Sequence, residues 1–229
     1  MNYSQSLDLK IIKILAKLYP NPIPTLNWTS PFECLIAVIL SAQCTDKKVN
    51  LVTKDLFKQA NTPKKILALG QKKLAQIIKP CGLFNTKSRN IIATCEILIK
   101  NFKNKIPQTQ AELETLPGVG QKTAQVILSQ IFKKPAFPVD THIHRVANRL
   151  GICNTETPEQ TEKCLKSKIE QRYWHDLHLQ MIFHGRETCK ARKPFCQRCS
   201  LSNLCHYPYK TPQHNTSTRT SQDSKEESA

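Results

Sequence analysis

The sequence predicts an all-α fold, and three observations support that class. Helix start signals, in which a Ser or Thr is followed by proline or by Glu three positions on, recur along most of the chain. Apolar residues repeat at the i, i+3, i+4 and i+7 spacing of an amphipathic helix. No stretch shows the sustained apolar and polar alternation of a half-buried strand. We therefore expect helices throughout the main body of the chain.

Four helix starts and two helix ends can be placed from these signals. Each start has a side chain that can accept a hydrogen bond from a first-turn amide. The starts are Ser30 with Pro31 and Glu33, for a helix through Leu40, Thr62 with Pro63, Thr109 with Glu112, and Thr157 with Pro158. Gly70 ends the second of these helices. A further helix ends at Gly151 and carries four apolar residues on one face, at Ile143, Val146, Ala147 and Leu150.

Two proline-rich segments, residues 19–24 (YPNPIP) and 133–140 (KKPAFPVD), divide the chain. They bracket one helical lobe between an N-terminal helix and a C-terminal lobe. Residues 211–229 contain almost no apolar side chain to bury, so we expect this tail to be disordered.

The chain is strongly basic, with 34 Lys and Arg against 17 Asp and Glu and a net charge of +17. Residues 211–229 carry two cations and three carboxylates, so the remaining body is about +18. A folded body of this charge attracts polyanions, and nucleic acid is the first candidate. No helix is a concentrated basic amphipath, which disfavours a membrane surface. A charge that serves only solubility is the alternative.

The hydropathy pattern excludes a membrane-spanning helix, because the apolar runs are far shorter than such a helix requires. The N-terminus also lacks the basic, apolar and small-residue regions of a signal peptide. We expect a soluble, cytoplasmic protein in a reducing compartment, acting as a monomer.

The ten cysteines divide into two groups. Six are scattered and are expected to be small buried apolar residues in a reducing cell, namely Cys34, Cys44, Cys81, Cys95, Cys153 and Cys164. The other four follow a C-x6-C-x2-C-x5-C pattern, at Cys189, Cys196, Cys199 and Cys205. That spacing favours a metal site over disulfides, and it leaves zinc and an iron–sulfur cluster open, with zinc the commoner choice.

Two further features suit phosphate binding. The segment between the first two of these cysteines displays three cations, which we call the basic loop: Lys190, Arg192 and Lys193. The segment LPGVG places Gly118 and Gly120 between two predicted helices, where positive φ would allow a tight turn and a close backbone approach. Backbone amides beside a helix N-terminus can hold a phosphate, although an ordinary helix–helix turn gives the same pattern.

Lys122 and Asp140 are the candidate reactive residues. Lys122 lies in the first turn of the helix after LPGVG, where the helix dipole and the cationic body favour the neutral, nucleophilic amine. Asp140 is placed to cap the helix that begins at Thr141 and to stay ionised there. A phosphate-pairing lysine and a purely structural cap are the plainer alternatives.

Taken together, these residues resemble the endonuclease III family of helix-hairpin-helix DNA glycosylases. The resemblance runs from the N-terminal helix to about Tyr207. Four blocks carry it, LSAQCTD (40–46), LPGVGQKTA (116–124), VDTHIHRV (139–146) and HGRETC (184–189), the last leading into the cysteine pattern. Gln121 stands where an arginine is common in the family, and His144 where a phenylalanine is frequent.

The resemblance implies a fold of two helical lobes with double-stranded DNA bound in the cleft between them. Residues 24–135 would form a six-helix lobe with the helix-hairpin-helix motif, and residues 1–23 with 136–210 a lobe around a 4Fe-4S cluster held by the four clustered cysteines. By position, Lys122 matches the Schiff-base lysine and Asp140 the catalytic aspartate. Gln43 and Leu83 match residues that wedge into the duplex.

The implied activity is excision of oxidised pyrimidines, followed by cleavage 3′ to the abasic site by β-elimination. A mismatch-directed adenine or thymine glycosylase is one rival, although such enzymes usually lack the hairpin lysine. The adenine type also needs an additional C-terminal domain. A non-catalytic DNA-binding module is the other rival.

Overall fold

The computed structural model describes residues 3–210, and this part of the chain contains eleven α-helices and no β-strand. The predicted all-α class is therefore confirmed. The helices are α1 Tyr3–Leu18, α2 Pro31–Ser41, α3 Asp46–Gln59, α4 Pro63–Leu69, α5 Gln71–Ile78, α6 Phe84–Phe102, α7 Gln110–Glu114, α8 Gln121–Phe132, α9 Thr141–Leu150, α10 Pro158–Lys168 and α11 Trp174–Glu187. Short 3₁₀ turns lie at Lys79–Cys81, Gln171–Tyr173, Cys196–Arg198 and Ser202–Leu204.

The buried apolar side chains form two separate cores, one in each lobe. The first runs from Phe32 to Ala136 and is built by α2 to α8. The second joins Ile11, Ile12 and Leu15 of α1 to apolar residues between Phe137 and Leu201. The chain thus leaves the C-terminal lobe after α1 and returns to it after α8. This path places the loop between α8 and α9 at the junction of the lobes.

The helix caps follow the side chains that predicted them. Ser30, Thr62, Thr109 and Thr157 each accept a hydrogen bond from the amide three residues on. Thr157 forms a complete capping box with Gln160. Glu33 departs from that pattern, because its carboxylate accepts from the amide and hydroxyl of Thr29 rather than from Ser30. Gly151 ends α9 in the left-handed region at φ 76°.

The first lobe has one helical segment more than expected. Seven α-helices lie within residues 31–132, where the resemblance implies six. Gly70, at φ 78°, interrupts the chain so that α4 and α5 are distinct, and α7 spans only five residues. Short helices of this kind are poorly marked by periodicity because they contain too few turns to show it.

The expectation for two of the scattered cysteines is wrong. Cys153 and Cys164 form a disulfide, with their Cα atoms 6.1 Å apart. It joins the loop after α9 to α10. Cys34, Cys81 and Cys95 are buried as predicted, whereas Cys44 is only partly buried. Sequence spacing could not reveal the pair, since it depends on how α10 folds back against α9.

No helix of residues 3–210 is long and apolar enough to cross a membrane. The tail predicted to be disordered, residues 211–229, lies outside the described residues.

Candidate functional site

The hairpin between α7 and α8 is fixed from behind by α6. The Thr94 hydroxyl donates to the carbonyl of Pro117 at 2.9 Å, and Gly118 lies against α6 and α2. Gly118 has φ 83°, and a Cβ added there would approach Asn90 Nδ2 at 3.2 Å and Ile39 Cγ2 at 3.5 Å. Only glycine readily adopts that backbone conformation and also fits into so little space.

Gly120 does not share this requirement, which corrects the expectation of positive φ at both glycines. It has φ −93°, and a Cβ added there would meet nothing within 4 Å. It is the N-cap of α8 and offers no side chain to the first-turn amides. The open space above Gly120 therefore leaves these amides accessible to an anion.

Lys122 and Asp140 line one cleft. It has a volume of about 180 Å³ and is bounded by the N-terminal turns of α8, α9 and α10. Lys122 is exposed in the first turn of α8. Asp140 caps α9 by accepting from the Ile143 amide at 2.8 Å through Oδ1. The predicted pair is thus brought together at the junction of the two lobes.

His178 of α11 lies behind this pair and was missed by sequence reasoning. It is 4% exposed, and burial lowers its pKa to about 4. The carboxylate of Asp140 opposes that shift, while His175 and Lys122 add to it. A neutral imidazole adds no positive charge beside Asp140. In the sequence, His178 lies three residues before Met181, an apolar residue on the same face of α11. That spacing indicates a buried histidine and gives no sign of a functional role.

Gln43 and Leu83, the candidate wedge residues, share an uncommon backbone conformation. Both have positive φ, 55° for Gln43 and 48° for Leu83, and both side chains are exposed. Leu83 remains 57% exposed although it is a large apolar residue. A non-glycine residue in this region costs about 1–2 kcal/mol, and such strain is found preferentially at functional sites. The conformation projects each side chain from the tip of its loop.

Lys87 joins the two loops that carry these residues and was also missed. Its buried Nζ donates to the carbonyl of Leu40 at 2.9 Å and to that of Cys81 at 3.0 Å. Leu40 lies just before the Gln43 loop, and Cys81 just before Leu83. Desolvation by burial lowers the pKa of Lys87. In sequence it is an unremarkable lysine in α6, and only the fold gives it a structural task.

The four clustered cysteines line one pocket in the second lobe, together with His184 and Arg149. None of the four is in a disulfide. Burial raises the pKa of Cys199 and Cys205, so their thiolates need a cationic partner. Within residues 3–210, no group of three or more His, Cys, Asp or Glu side chains is arranged as a site for a metal ion. A pocket shared by four cysteine side chains, none of them in a disulfide, fits a polynuclear cluster by its donor set.

Two arginines of α9 hold the chain around these cysteines. Arg145 donates to the carbonyls of Cys189 and Gly185, at 3.0 and 2.8 Å. Arg149 donates to the carbonyls of Lys190 and Ala191, at 2.8 and 3.0 Å. The helix that Asp140 caps therefore also orients the basic loop.

The basic loop is exposed at all three cationic positions. Lys193 has φ 50°, which turns the chain sharply, and the ammonium of Lys190 lies 4.7 Å from the ring centre of Phe195. That contact restrains Lys190, whereas no such ring contact restrains Arg192 or Lys193 within the described residues. The structure thus presents cations of the loop to solvent.

The two departures from the family pattern have different surroundings. Gln121 is exposed and lines the cleft beside Lys122. His144 faces α10, where its Nδ1 lies 2.6 Å from the Thr161 hydroxyl and 3.2 Å from the amide nitrogen of Asn148. A polar network therefore occupies the place where a phenylalanine is frequent.

An ion pair joins the lobes next to the Gln43 loop. Arg186 Nη1 of α11 donates to Asp46 Oδ2 of α3 at 2.7 Å, and Asp46 also accepts from the hydroxyl of Thr25. The Asp46 side chain is 20% exposed, so the pair is partly shielded from solvent. It connects the second lobe to the helix that directly follows Gln43.

Comparison with known proteins places this arrangement in a family. The model of the HhH-GPD superfamily of base excision DNA repair proteins matches residues 36–171. Endonuclease III of Rickettsia conorii is 48% identical over 198 residues, which cover 86% of this chain and 94% of that protein. Two solved structures, a non-covalent endonuclease III–DNA complex and a trapped endonuclease III–DNA covalent intermediate, each match with a TM-score of 0.84 and 43% identity, over 90% of this chain and 96% of theirs. With the same fold and nearly half of its residues in common with these relatives, the chain belongs to the endonuclease III family of the HhH-GPD superfamily.

Proposed function

We propose that this protein is a base excision repair DNA glycosylase that removes oxidised pyrimidines and cleaves the DNA strand at the resulting abasic site. The observation that carries the proposal is the presence of Lys122 and Asp140 in one cleft at the junction of the lobes. A trapped covalent intermediate with DNA is described for a relative of the same fold, which agrees with a covalent route. The substrate is double-stranded DNA that contains a damaged pyrimidine or an abasic site.

Binding begins with the charge and the exposed backbone. The body of about +18 attracts the duplex, and the first-turn amides of α8 hold a phosphate above Gly120. Lys190, Arg192 and Lys193 contact the backbone at a second point. Gln43 and Leu83 occupy the space that the extruded nucleotide leaves in the duplex. Extrusion costs least at a damaged base, since damage weakens its pairing and stacking.

Base release then uses the lysine and the aspartate together. The Nζ of Lys122 attacks the C1′ carbon of the sugar, and the bond from C1′ to the base breaks with the electron pair leaving on the base. Asp140 stabilises positive charge on the sugar and accepts a proton from the attacking amine. His178, neutral in its buried position, adds no positive charge.

Strand cleavage follows from the covalent intermediate. Ring opening gives an imine between C1′ and Nζ, which makes the protons on the neighbouring C2′ acidic. Loss of a C2′ proton expels the 3′ phosphate by β-elimination, so the strand breaks 3′ to the site. Water finally hydrolyses the imine and returns Lys122 as a free amine.

We propose that Cys189, Cys196, Cys199 and Cys205 hold a 4Fe-4S cluster. Their spacing, their common pocket and the absence of disulfides among them support this assignment. When bound, the cluster supplies positive charge for four thiolates and cross-links the chain around them. Arg145 and Arg149 then position the pinned basic loop on the DNA.

Cleavage of duplexes that each contain one defined base tests the proposal. We expect the wild-type protein to cut at an oxidised pyrimidine, to leave a 3′ unsaturated aldehyde, and to spare undamaged and T·G mismatched DNA. Asp140→Asn should slow base release by about 100-fold or more, because the carboxylate charge is lost. It should keep the fold, since Asn caps a helix about as well as Asp. Selective action on the mismatch would favour the mismatch-glycosylase alternative.

A further inference from the structure

Two thiols lie at the bases of the loops that carry the candidate wedge residues. Cys44 directly follows Gln43 in the turn between α2 and α3, and its amide donates to the carbonyl of Ser41 at 3.0 Å. Cys81 ends the 3₁₀ turn before Gly82 and Leu83. Although 36 residues separate them in sequence, Cys44 packs against the core to which Cys81 belongs, and the two thiols interact directly.

The cluster also contains an ammonium group. The Nζ of Lys87 is held between the carbonyls of Leu40 and Cys81, and it interacts electrostatically with both thiols. Lys48 of α3 adds a second cation near Cys81. Both cations lower the pKa of Cys81, against the larger effects of burial and of Cys44 that raise it.

The two thiols differ in the roles that they can take. Cys44 is partly exposed, which makes it the more accessible of the two residues to an oxidant in solution. Cys81 is 2% exposed, and burial, with the interaction with Cys44, raises its pKa to about 11. Cys44 is therefore suited to react first and Cys81 to react second with the product.

We propose that Cys44 and Cys81 are a peroxide-responsive dithiol pair that forms a disulfide between the two wedge loops. In the first step the Cys44 thiolate attacks a peroxide oxygen, the O–O bond breaks, and Cys44 becomes a sulfenic acid as the alkoxide or hydroxide leaves and takes up a proton. In the second step the Cys81 sulfur attacks the Cys44 sulfur, an S–S bond forms, and water is released. Overall two thiols are oxidised by two electrons and one peroxide is reduced.

The disulfide would change DNA binding through the loops that it joins. Gln43 and Leu83 both hold positive φ at the loop tips, and each is adjacent to or two residues from a bridged cysteine. Drawing Cys44 inward toward Cys81 moves the backbone of Gln43 and restricts both tips. We expect the oxidised protein to bind lesion-containing duplex several-fold more weakly. This consequence rests on the proposed function, whereas formation of the bond does not.

Peptide mapping of the full holoprotein tests the bond itself. Reduced protein is treated with hydrogen peroxide at a dose that leaves its visible absorbance unchanged, alkylated, and digested with trypsin without reductant. We expect a new cross-link between the peptides of residues 18–47 and 74–87, lighter than their sum by two hydrogens and split by dithiothreitol. The first peptide also contains buried Cys34, so Cys44→Ala must abolish the cross-link and Cys34→Ala must retain it.

The functional consequence has its own readout. Binding of lesion duplex is measured for reduced, peroxide-treated and re-reduced protein, with Cys44→Ala as the matched control. A several-fold weakening that dithiothreitol reverses, and that Cys44→Ala lacks, supports the switch. Complete alkylation of Cys44 and Cys81 after treatment, or a cross-link that survives in Cys44→Ala, overturns the proposal. Reduced protein that binds no damaged DNA would count against the proposed function while the mapping still decides the thiol pair.

Discussion

At the scale of single residues, the candidate catalytic residue Asp140 also has a structural task. Asp140 caps α9 through one carboxylate oxygen and faces the cleft of Lys122. Its capping role could be predicted because a helix cap leaves a recognisable sequence signal. His178 and Lys87 leave no such signal, since each owes its position to helices distant in sequence. The positive φ of Gln43 and Leu83 also leaves no sequence signal, because helix and turn propensities do not favour that conformation for these residue types.

His178 predicts a dependence of stability on pH. Its pKa is lowered to about 4 in the folded protein, against 6.5 for an unperturbed histidine. The unfolded chain therefore binds more protons between these values, and the free energy of unfolding falls as the pH drops from 6.5 toward 4. The loss from this residue should reach about 3 kcal/mol.

Thermal or denaturant unfolding at a series of pH values measures this contribution. We expect His178→Phe to reduce the acid-side loss by a large part, because phenylalanine has no proton to bind. His184, whose pKa burial also lowers to about 4, keeps its own contribution in that variant. Equal pH profiles for the variant and the wild-type protein would show that His178 is not held neutral by the fold.

At the scale of elements, the predicted helix boundaries were reliable where a cap fixes them. The starts at Pro31, Pro63, Gln110 and Pro158 and the ends at Gly70 and Gly151 were all located from a single side chain or glycine. The additional short helix and the Cys153–Cys164 disulfide were not predicted. Both depend on contacts between elements, which periodicity within one element does not encode.

The proposed 4Fe-4S cluster gives a prediction for the segment that carries the clustered cysteines. Cys199→Ala should lose the brown colour and much of its soluble yield together, because loss of a ligand exposes a pocket that the chain cannot fill. Wild-type protein purified without oxygen should contain about four irons per chain. The measurements are visible absorbance and metal content.

Cys34→Ala is the control for that experiment. Cys34 is fully buried in the first lobe, far in sequence from the pocket, and its loss should leave colour and metal content unchanged. Stoichiometric zinc in wild-type protein from iron-rich cells would replace the iron–sulfur assignment by a zinc site, which the cysteine spacing also permits.

At the scale of the whole molecule, charge and lobe arrangement act together. The cationic body attracts DNA of any sequence, and the exposed basic loop gives part of that charge a defined position. The ion pair of Arg186 with Asp46 connects the lobes beside the Gln43 loop. Composition predicted the attraction to polyanions but not this connection, because a pair 140 residues apart becomes visible only in the fold.

The salt dependence of binding tests the basic loop. Affinity for undamaged duplex should fall steeply with salt, and Arg192→Gln or Lys193→Gln should each reduce the log–log slope by about 0.9. Lys54→Gln is the control, because it removes an equal charge at an exposed position of α3, where no DNA contact is proposed. If Arg192→Gln and Lys193→Gln leave the slope at the wild-type value, as the control does, the basic loop is excluded from the interface.

Trapping of the covalent intermediate distinguishes a reactive lysine from a phosphate-binding lysine most directly. Borohydride added during turnover of an oxidised-pyrimidine duplex should reduce the imine and leave the protein joined to DNA through Lys122, as peptide sequencing by mass spectrometry would show. Lys122→Gln should lose both this product and strand cleavage while binding the lesion within a few-fold of wild type, because the lost bond belongs to the reaction and not to the encounter. If Lys122→Gln still cleaves at the wild-type rate and only binds DNA more weakly, the lysine is a phosphate ligand and the nucleophile lies elsewhere.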